Sequence, residues 1–312
     1  EINEHTIKFA TAGAQGSPIA LGMDRFAEIV EEKSGGQITV RRFPGGTRGG
    51  DIQTLSALQG GTVEMTTMNA GLLAGVVKDF VIVDFPFLFA TPQEADAVMD
   101  GPVGKKLLEK LPERGLVGLA YWELGFRHIN NNSRPIATAE DIEGLKMRVI
   151  PTPIYIDFMN ALGANAVPMP FTETYTALET GAVDGMTNPL INIADSKFYE
   201  VTDYLTITNH MYNPQAVTIS KITWDKLSDD EKKIIQDSAN EATAMQRQAS
   251  QEANAKALEE LKEEMEVTEL PAEELAKWRE KAKPVIEKYT QDVGPELVAE
   301  LMAEIEKARG QN

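Results

Sequence analysis

The sequence predicts an α/β protein of two domains joined by crossing strands. Its 312 residues exceed the ~100–200 residues typical of a single domain. Short strand-like segments alternate with amphipathic helical segments, a pattern typical of sheets flanked by helices. Two longer apolar segments interrupt this alternation and are candidates for passages of the chain between the domains. We therefore expect a hinge.

The first unit is strand, helix, strand. Residues 6–10 alternate in polarity and predict a strand, after which Ser17 and Pro18 form a helix start signal. Apolar residues then recur at intervals of three and four as far as about Lys33. Gly35 and Gly36 end this helix before a second predicted strand at 37–43.

A glycine-rich segment, PGGTRGGD at 44–51, opens the next helix. One interpretation is a phosphate-binding loop, because glycine lets backbone N–H groups approach an anion closely. The segment lacks the lysine and hydroxyl residue of a Walker loop. We favour a tight strand-to-helix turn in which Asp51 caps the helix.

The two predicted crossings set the domain boundaries. Gly125 lies inside a strand-like pattern that continues the strand at 116–121, and it indicates a bend or a close backbone approach. The second crossing covers 204–220, where two strand-like parts flank a predicted loop at 209–214. We expect residues 1–125 plus 214–253 in domain I and residues 126–213 plus 254–312 in domain II.

A long helix is predicted near the C-terminus. Ser228 caps it, and the pattern runs to about Met265 without glycine or proline. At ~1.5 Å per residue this helix is longer than one small domain, so we expect it to lie across both. Pro271, Pro284 and Pro295 are each predicted to begin one of the shorter helices that follow.

Composition excludes several classes of function. A formal net charge of -18 argues against nucleic-acid partners and anionic membrane surfaces. The chain has no cysteine, hence no thiol nucleophile, disulfide or thiolate metal site. Its three histidines have no metal-ligand spacing, and no catalytic or dinucleotide motif is present. We expect no catalytic residue, no metal and no cofactor.

The N-terminal residue is Glu1, and no basic-then-apolar leader follows it. We interpret the sequence as a mature form from which any secretory signal has been removed.

Polar side chains are predicted at the ends of several strands. Arg148 lies on a short strand, Phe171 opens a helix, and Asn188 and Asn69 each lie where a strand ends. In open α/β sheets ligands bind in the crevice beyond the carboxyl ends of the strands. The guanidinium of Arg148 matches a carboxylate bidentately, so the sequence predicts binding of a small organic carboxylate.

The pattern alone leaves a structural alternative open for both arginines. Arg148 would instead pair with a structural carboxylate such as Asp141 or Glu143. For Arg127, which follows Gly125, we favour such a structural role.

Several segments carry a family resemblance. They read RVIP at 148–151, ALGA at 161–164, PMPFTETYTAL at 168–178 and GAVDG at 181–185, with Asn188 and Pro189 beyond. FPGG at 43–46, GGD at 49–51 and GFR at 125–127 fit the same pattern in order and spacing. Across essentially its whole length the chain resembles the DctP family, the solute-binding proteins of TRAP (tripartite ATP-independent periplasmic) transporters.

The resemblance implies a two-domain periplasmic-binding-protein-like fold, with hinge strands and a long helix spanning both domains. It implies a periplasmic protein that closes around a small carboxylate and delivers it to a membrane permease. We expect a monomer with no nucleic-acid partner.

The resemblance also implies roles for residues. Arg148 would form a bidentate salt bridge with the ligand carboxylate, and Arg127 would be a second donor. Asn188 would hydrogen-bond the ligand, Phe171 would pack against it, and Asn69 would line the wall of the opposite domain.

Three further candidates are weaker. Glu173 and Tyr175 fit a role in forming their helix as well as they fit a role in binding the ligand. Met186 belongs to a departure from the family pattern: many relatives carry Gln-Glu where this chain has Met186-Thr187, and asparagine where it has Leu124. Both changes make the pocket less polar than in those relatives.

Two rival functions remain open at this stage. An enzyme acting on a small carboxylate would use Glu173 or Tyr175 as acid or base. A soluble sensor would bind the carboxylate without delivering it to a permease.

Overall fold

The computed structural model describes residues 1–310, so residues 311 and 312 of the predicted domain II lie outside the described chain. The strands are β1 His5–Ala10, β2 Ile38–Phe43, β3 Met65–Asn69, β4 Leu116–Asn131, β5 Lys146–Val149, β6 Asn165–Pro168, β7 Gly185–Pro189, β8 Tyr204–Ser220 and β9 Glu266–Glu269. The helices are α1 Pro18–Lys33, α2 Asp51–Gly60, α3 Pro92–Met99, α4 Pro102–Leu108, α5 Pro153–Ala161, α6 Phe171–Glu179, α7 Leu190–Asp195, α8 Lys221–Asp225, α9 Asp229–Glu264, α10 Ala272–Val293 and α11 Pro295–Gly310.

Eight of the strands form one continuous sheet in the order β2-β1-β3-β8-β4-β7-β5-β6, and β9 pairs with β8 off this path. On one side β1 pairs in parallel with β2 and β3, and on the other β5 pairs in parallel with β6 and β7. The long strands β4 and β8 run antiparallel to each other between these groups. They connect the two halves of the molecule.

The apolar core covers both faces of the sheet. Successive residues of β8 show the alternation, since Ala216 belongs to one buried cluster and Val217 to the other. The second cluster includes residues of α1, α6, α7 and α9, and the first includes residues of α3, α4, α5, α10 and α11. This arrangement confirms an α/β architecture with helices on two sides.

Gly125 lies where β4 passes between the halves. Its φ is +125°, a backbone conformation that side chains disfavour, and the pairing with β8 shifts register between Glu123 and Gly125. A Cβ at this position would lie 2.7 Å from Asn254 Nδ2 on α9. Glycine is therefore favoured here, and the bend and close approach predicted at Gly125 are confirmed, whereas a domain boundary at this position stays a prediction.

The second crossing differs from its prediction. The prediction of a loop at 209–214 is wrong, because β8 is continuous from Tyr204 to Ser220. The irregularity appears as a bulge: the pairing shifts between Arg127 and Ile129, and Asn209 has φ +47°. Pro214 is tolerated beside the second shift in register.

The long helix is confirmed as α9, with 36 residues. Ser228 caps it and forms a capping box with Glu231. It packs on α1, β4 and α7, so it lies across both halves. Gln246 of α9 exchanges two hydrogen bonds with the backbone of Glu123, at 2.9 and 2.8 Å. The helix is thereby attached to the crossing strand.

Pro284 does not begin a helix as predicted. It lies within α10 on the exposed surface, where the carbonyl it leaves unpaired can be hydrated. Pro271 and Pro295 do mark helix starts, as expected. The last helix, α11, packs on α3 and α4, and Arg309 forms an ion pair with Glu94 at 3.0 Å. The domain boundaries themselves stay a prediction.

Candidate functional site

A cavity of about 420 Å³ lies between the two halves of the molecule. One wall comes from the ends of β1 and β3 and the start of α2, and the other comes from β4, β5, β7 and the start of α6. The lining residues are Thr11, Ala12, Gly13, Ile19, Gly50, Asp51, Ile52, Gln53, Thr67, Asn69, Leu72, Leu124, Arg127, Arg148, Ile150, Pro151, Pro168, Met169, Pro170, Phe171, Asn188, Asn192 and Gln215. A cleft of this size suits a small molecule.

Arg148 on β5 contributes a buried guanidinium that is 2% exposed. Within residues 1–310 its side chain makes one hydrogen bond, from Nε to the carbonyl of Met169 at 3.0 Å. Burial, together with the nearby charge of Arg127, lowers the pKa of Arg148 to about 9, so it stays charged at neutral pH. Its two terminal nitrogens are available to the cavity.

The alternative in which Arg148 pairs with Asp141 or Glu143 is wrong. Asp141 instead accepts hydrogen bonds from the backbone N–H groups of Ala137 and Thr138, at 2.9 and 2.8 Å. Glu143 lies 3.8 Å from Lys281. Across the described chain, no carboxylate lies within 4.0 Å of the Arg148 guanidinium.

Arg127 on β4 is buried to a similar degree, and each of its three guanidinium nitrogens donates a hydrogen bond within the protein. Nε donates to Thr187 Oγ1 at 2.9 Å, Nη1 donates to Asn213 Oδ1 at 2.7 Å, and Nη2 donates to the Thr187 carbonyl. These acceptors are neutral. Within residues 1–310 the prediction that Arg127 pairs with a structural carboxylate is therefore wrong. Burial lowers the pKa of Arg127. Thr187, one of the departures from the family pattern, is thus a partner of this arginine.

A polar network behind the cavity continues from Arg127. Asn213 Nδ2 donates to the Tyr155 hydroxyl at 2.8 Å, and that hydroxyl donates to Asp84 Oδ1 at 3.1 Å. Burial raises the pKa of Asp84 to about 7, against the opposing effects of Tyr155 and Arg127. This network holds the crossing strands to the elements on either side of the cavity.

The predicted asparagines lie on opposite walls with their oxygens already occupied. Asn69 Oδ1 accepts from Gln215 Nε2, and Asn188 Oδ1 accepts from Asn192 Nδ2 at 2.7 Å. This leaves amide N–H groups of Asn69, and the one N–H of Asn188 that does not point to Met186 Sδ, as donors for a ligand. Phe171 begins α6 and packs edge-on against Phe198, with ring centroids 5.6 Å apart.

Three predicted site residues lie outside the cavity wall. Glu173 is exposed, Tyr175 packs against Phe198 with ring centroids 5.9 Å apart, and Met186 is fully buried in the core. Met186 and Thr187 therefore reach the cavity only through neighbours: Met186 Sδ lies 3.9 Å from Asn188 Nδ2.

The glycine-rich segment is a part of the site that sequence reasoning missed. Gly50, not Asp51, is the N-cap of α2, and Asp51 is the first helical residue. A Cβ on Gly46 would lie 2.5 Å from Thr172 Cγ2, and a Cβ on Gly50 would lie 3.2 Å from Pro170 Cβ. The glycines thus let the loop touch the start of α6 and close the cavity. Their clustering before a helix was the available signal.

Asp51 was also missed as a cavity residue. Its side chain is half-buried, and within residues 1–310 no hydrogen bond reaches its carboxylate. Burial raises its pKa to about 6, and the charge of Arg148 opposes that rise. Gln53, Asn192 and Gln215 likewise had no distinguishing pattern in the sequence.

Residues 1–310 contain neither a group of three or more potential metal ligands nor a helix long and apolar enough to cross a membrane.

Known proteins resemble the chain throughout. The model of the family described as bacterial extracellular solute-binding protein, family 7 (DctP) matches residues 9–292. The C4-dicarboxylate-binding periplasmic protein DctP of Rhodobacter capsulatus is 35% identical over 300 residues, which covers 95% of this chain and 90% of that protein.

Two crystal structures extend the comparison. A TRAP periplasmic solute-binding protein from Ochrobactrum anthropi, with its C-terminus bound in its ligand-binding pocket, is 57% identical, has a TM-score of 0.88, and is matched over 100% of this chain and 98% of its own. The sugar acid binding protein DctPAm from Advenella mimigardefordensis, in complex with galactonate, is 43% identical, has a TM-score of 0.97, and is matched over 99% of this chain and 100% of its own.

These likenesses confirm the predicted two-domain fold with its hinge strands and long spanning helix. The family consists of transport proteins that bind substrates, so the enzyme alternative is excluded. The chain belongs to the DctP family of bacterial extracellular solute-binding proteins, which serve TRAP transporters.

Proposed function

We propose that this protein captures a small organic carboxylate in the periplasm, with Arg148 as the anchor, and delivers it to a TRAP permease. One observation carries the proposal: the Arg148 guanidinium is 2% exposed, lines the cavity, and has no carboxylate partner within residues 1–310. A buried charge is costly unless it is paired. An incoming carboxylate supplies the missing partner in the bidentate geometry that a guanidinium favours.

The other proposed contacts come from both walls. Asn188 and Asn69 offer amide donors, Phe171 offers an apolar face, and Arg127 contributes charge and any guanidinium hydrogens that Thr187 and Asn213 leave free. Glu173, Tyr175 and Met186 have no support from the geometry, because they do not line the cavity.

Closure of two domains is part of the proposal, with residues 1–125 plus 214–253 moving against 126–213 plus 254–312. A ligand shifts the balance of open and closed forms only by its difference in affinity for them, so it must contact both walls. Asn69 and Arg148 are the proposed contacts on opposite sides. Closure also excludes water, which strengthens the pair between Arg148 and the ligand.

The relatives support the carboxylate class. The Rhodobacter protein is named for C4-dicarboxylates, and DctPAm binds galactonate. These ligands differ in length, hydroxylation and charge, and what they share is a carboxylate.

Calorimetric titration of the wild-type protein with D-galactonate, D-erythronate and succinate tests the proposal. We expect at least one to bind at one molecule per chain and to be recovered unchanged by mass spectrometry. Arg148→Ala should abolish this binding, while Arg25→Ala, at an exposed arginine on α1, should leave it intact. Binding by Arg148→Ala as tight as by wild type would contradict the anchor assignment.

Delivery distinguishes a transport protein from a sensor. Reconstitution of the permease in vesicles, with this protein added outside, should give uptake of the ligand that depends on the protein. Ligand binding without uptake would favour the sensor.

A further inference from the structure

We propose that Asp51 determines specificity: it makes the cavity accept one carboxylate and reject a second, and it selects ligands that carry hydroxyl groups. This inference rests on the proposed function, because it assumes that one ligand carboxylate occupies Arg148.

The position of Asp51 is fixed by its surroundings. It is the first residue of α2, directly after Gly50, whose backbone N–H donates to Gln53 Oε1 at 3.0 Å. Its own carbonyl accepts from Thr54 Oγ1 at 2.9 Å. The glycine loop before it touches Thr172 and Pro170 of the opposite wall. The carboxylate is therefore held at the start of a hydrogen-bonded helix that lines the cavity, and such support favours a precise contact.

The charges of the cavity define what the ligand must bring. Its wall carries three charged side chains, Arg127, Arg148 and Asp51. Arg127 already donates to Thr187 and Asn213, which leaves Arg148 as the principal site for a carboxylate. The three charges sum to +1, so one ligand carboxylate on Arg148 makes the cavity neutral, and Asp51 remains as an anion on the facing wall. A second ligand carboxylate near it would meet like charge.

The hydrogen-bonding inventory points the same way. Asn69 and Asn188 use their oxygens on Gln215 and Asn192, so both offer N–H donors to the cavity. An ionised Asp51 offers acceptors alone, and within residues 1–310 no hydrogen bond reaches them. A hydroxyl group both donates and accepts, so it can satisfy Asp51 and an asparagine together. An unsubstituted alkyl chain would leave all these groups unpaired, at a cost to its affinity.

The burial of Asp51 supports this assignment. Removal from water raises the pKa of its carboxyl to about 6, and no protein hydrogen bond within residues 1–310 stabilises the ionised form. Hydroxyl donors from a ligand would provide them.

Two matched pairs of probes isolate the second carboxylate. Galactarate carries a carboxylate where D-galactonate carries a terminal hydroxymethyl group, and meso-tartrate differs from D-erythronate in the same way. Hexanoate reports the contribution of the hydroxyl groups. We expect wild type to bind D-galactonate, D-erythronate or both at least about tenfold more tightly than the matching dicarboxylate and than hexanoate.

Asp51→Asn keeps the size of the side chain and removes its charge. We expect it to weaken binding of the preferred monocarboxylate about tenfold and to strengthen binding of the dicarboxylate, so that the ratio of affinities collapses. Asp24→Asn, at an exposed carboxylate on α1, is the matched control and should leave the ratio unchanged. If Asp51→Asn does not fold, Asp51→Ser takes its place, and we expect the same collapse of the ratio of affinities.

The outcomes separate this inference from the proposed function. Binding that Arg148→Ala abolishes, with a ratio that Asp51→Asn or Asp51→Ser leaves unchanged, overturns the role of Asp51 alone. Equal affinity of wild type for both members of each probe pair also overturns the role of Asp51 alone. Binding that is indifferent to Arg148→Ala, or no binding of any probe to wild type, overturns the proposed function and this inference with it.

Discussion

Arg148 and Arg127 lie in the same cavity, are buried to the same degree, and differ in their partners. Arg127 is 1% exposed and Arg148 is 2% exposed. Arg127 donates to three acceptors of the surrounding strands, whereas Arg148 donates to one backbone carbonyl. Burial alone therefore does not identify a binding residue.

The difference in partners indicates a different role for each arginine. The region around Arg127 joins β4, β7 and β8, so its guanidinium holds the crossing strands together. The region around Arg148 lies on short strands that end at the cavity, and its guanidinium has unused donors. Variants at the two positions should therefore affect different properties, stability at one and affinity at the other.

The largest effect is expected for Arg127→Lys on stability. Lysine keeps the charge but cannot reach Thr187 and Asn213 together, so buried acceptors lose their donors. We expect a loss of about 2–4 kcal/mol in the free energy of unfolding, measured by urea denaturation of the ligand-free protein. Unchanged stability would show that the hydrogen bonds of Arg127 are not structural.

The matched change, Arg148→Lys, should lower affinity instead. Loss of the planar fork is expected to cost about 1–3 kcal/mol in binding of the preferred carboxylate, measured by calorimetry. In the same urea experiment the ligand-free variant should stay within about 0.5 kcal/mol of wild type, since only the bond to Met169 is lost. A stability loss as large as that of Arg127→Lys would erase the distinction between the two sites.

A smaller effect is expected from pH. Hydroxyl donation favours ionised Asp51, whose pKa is raised to about 6 by burial. Affinity for a hydroxylated acid should therefore rise about tenfold from pH 5 to pH 7 and then level off. Arg148, with a pKa of about 9, stays charged over this range, and burial lowers the pKa values of Arg127, His128 and His210. Calorimetry at several pH values measures the rise. Asp51→Asn should remove it, and a rise that persists in this variant would assign it to another group.

The smallest effect concerns closure. Gly50→Ala places a Cβ 3.2 Å from Pro170 Cβ, so the closed form should be disfavoured and affinity should fall a few-fold, by about 0.5–1 kcal/mol. Gly60→Ala, at the other end of α2 with no atom within 4 Å of the new Cβ, is the control and should bind as wild type does. Equal affinity in both variants would mean that the glycine loop does not limit closure.

Much of this arrangement could be predicted from the sequence, because strand ends are local features. Arg148, Asn188 and Asn69 lie on or at the ends of short predicted strands, and parallel strands bring such positions to one edge. The long helix was equally predictable, because Ser228 caps it and no glycine or proline interrupts it.

The errors arose where tertiary structure overrides local preference. Pro214 and Asn209 predict a loop, but pairing with β4 keeps β8 extended and absorbs both in shifts of register. The role of Arg127 depends on Thr187 and Asn213, which are 60 and 86 residues away. Asp51 has an ordinary helix-start signal, and only the tertiary fold brings it into the same cavity as Arg148.

The most direct test of the central claim is a crystal structure of the protein with its preferred carboxylate bound. We predict that the two ligand carboxylate oxygens lie about 2.7–2.9 Å from the two terminal nitrogens of Arg148. Arg127 should retain its bonds to Thr187 and Asn213. A ligand carboxylate held by Arg127 with Arg148 unpaired, or held by neither arginine, would contradict the account.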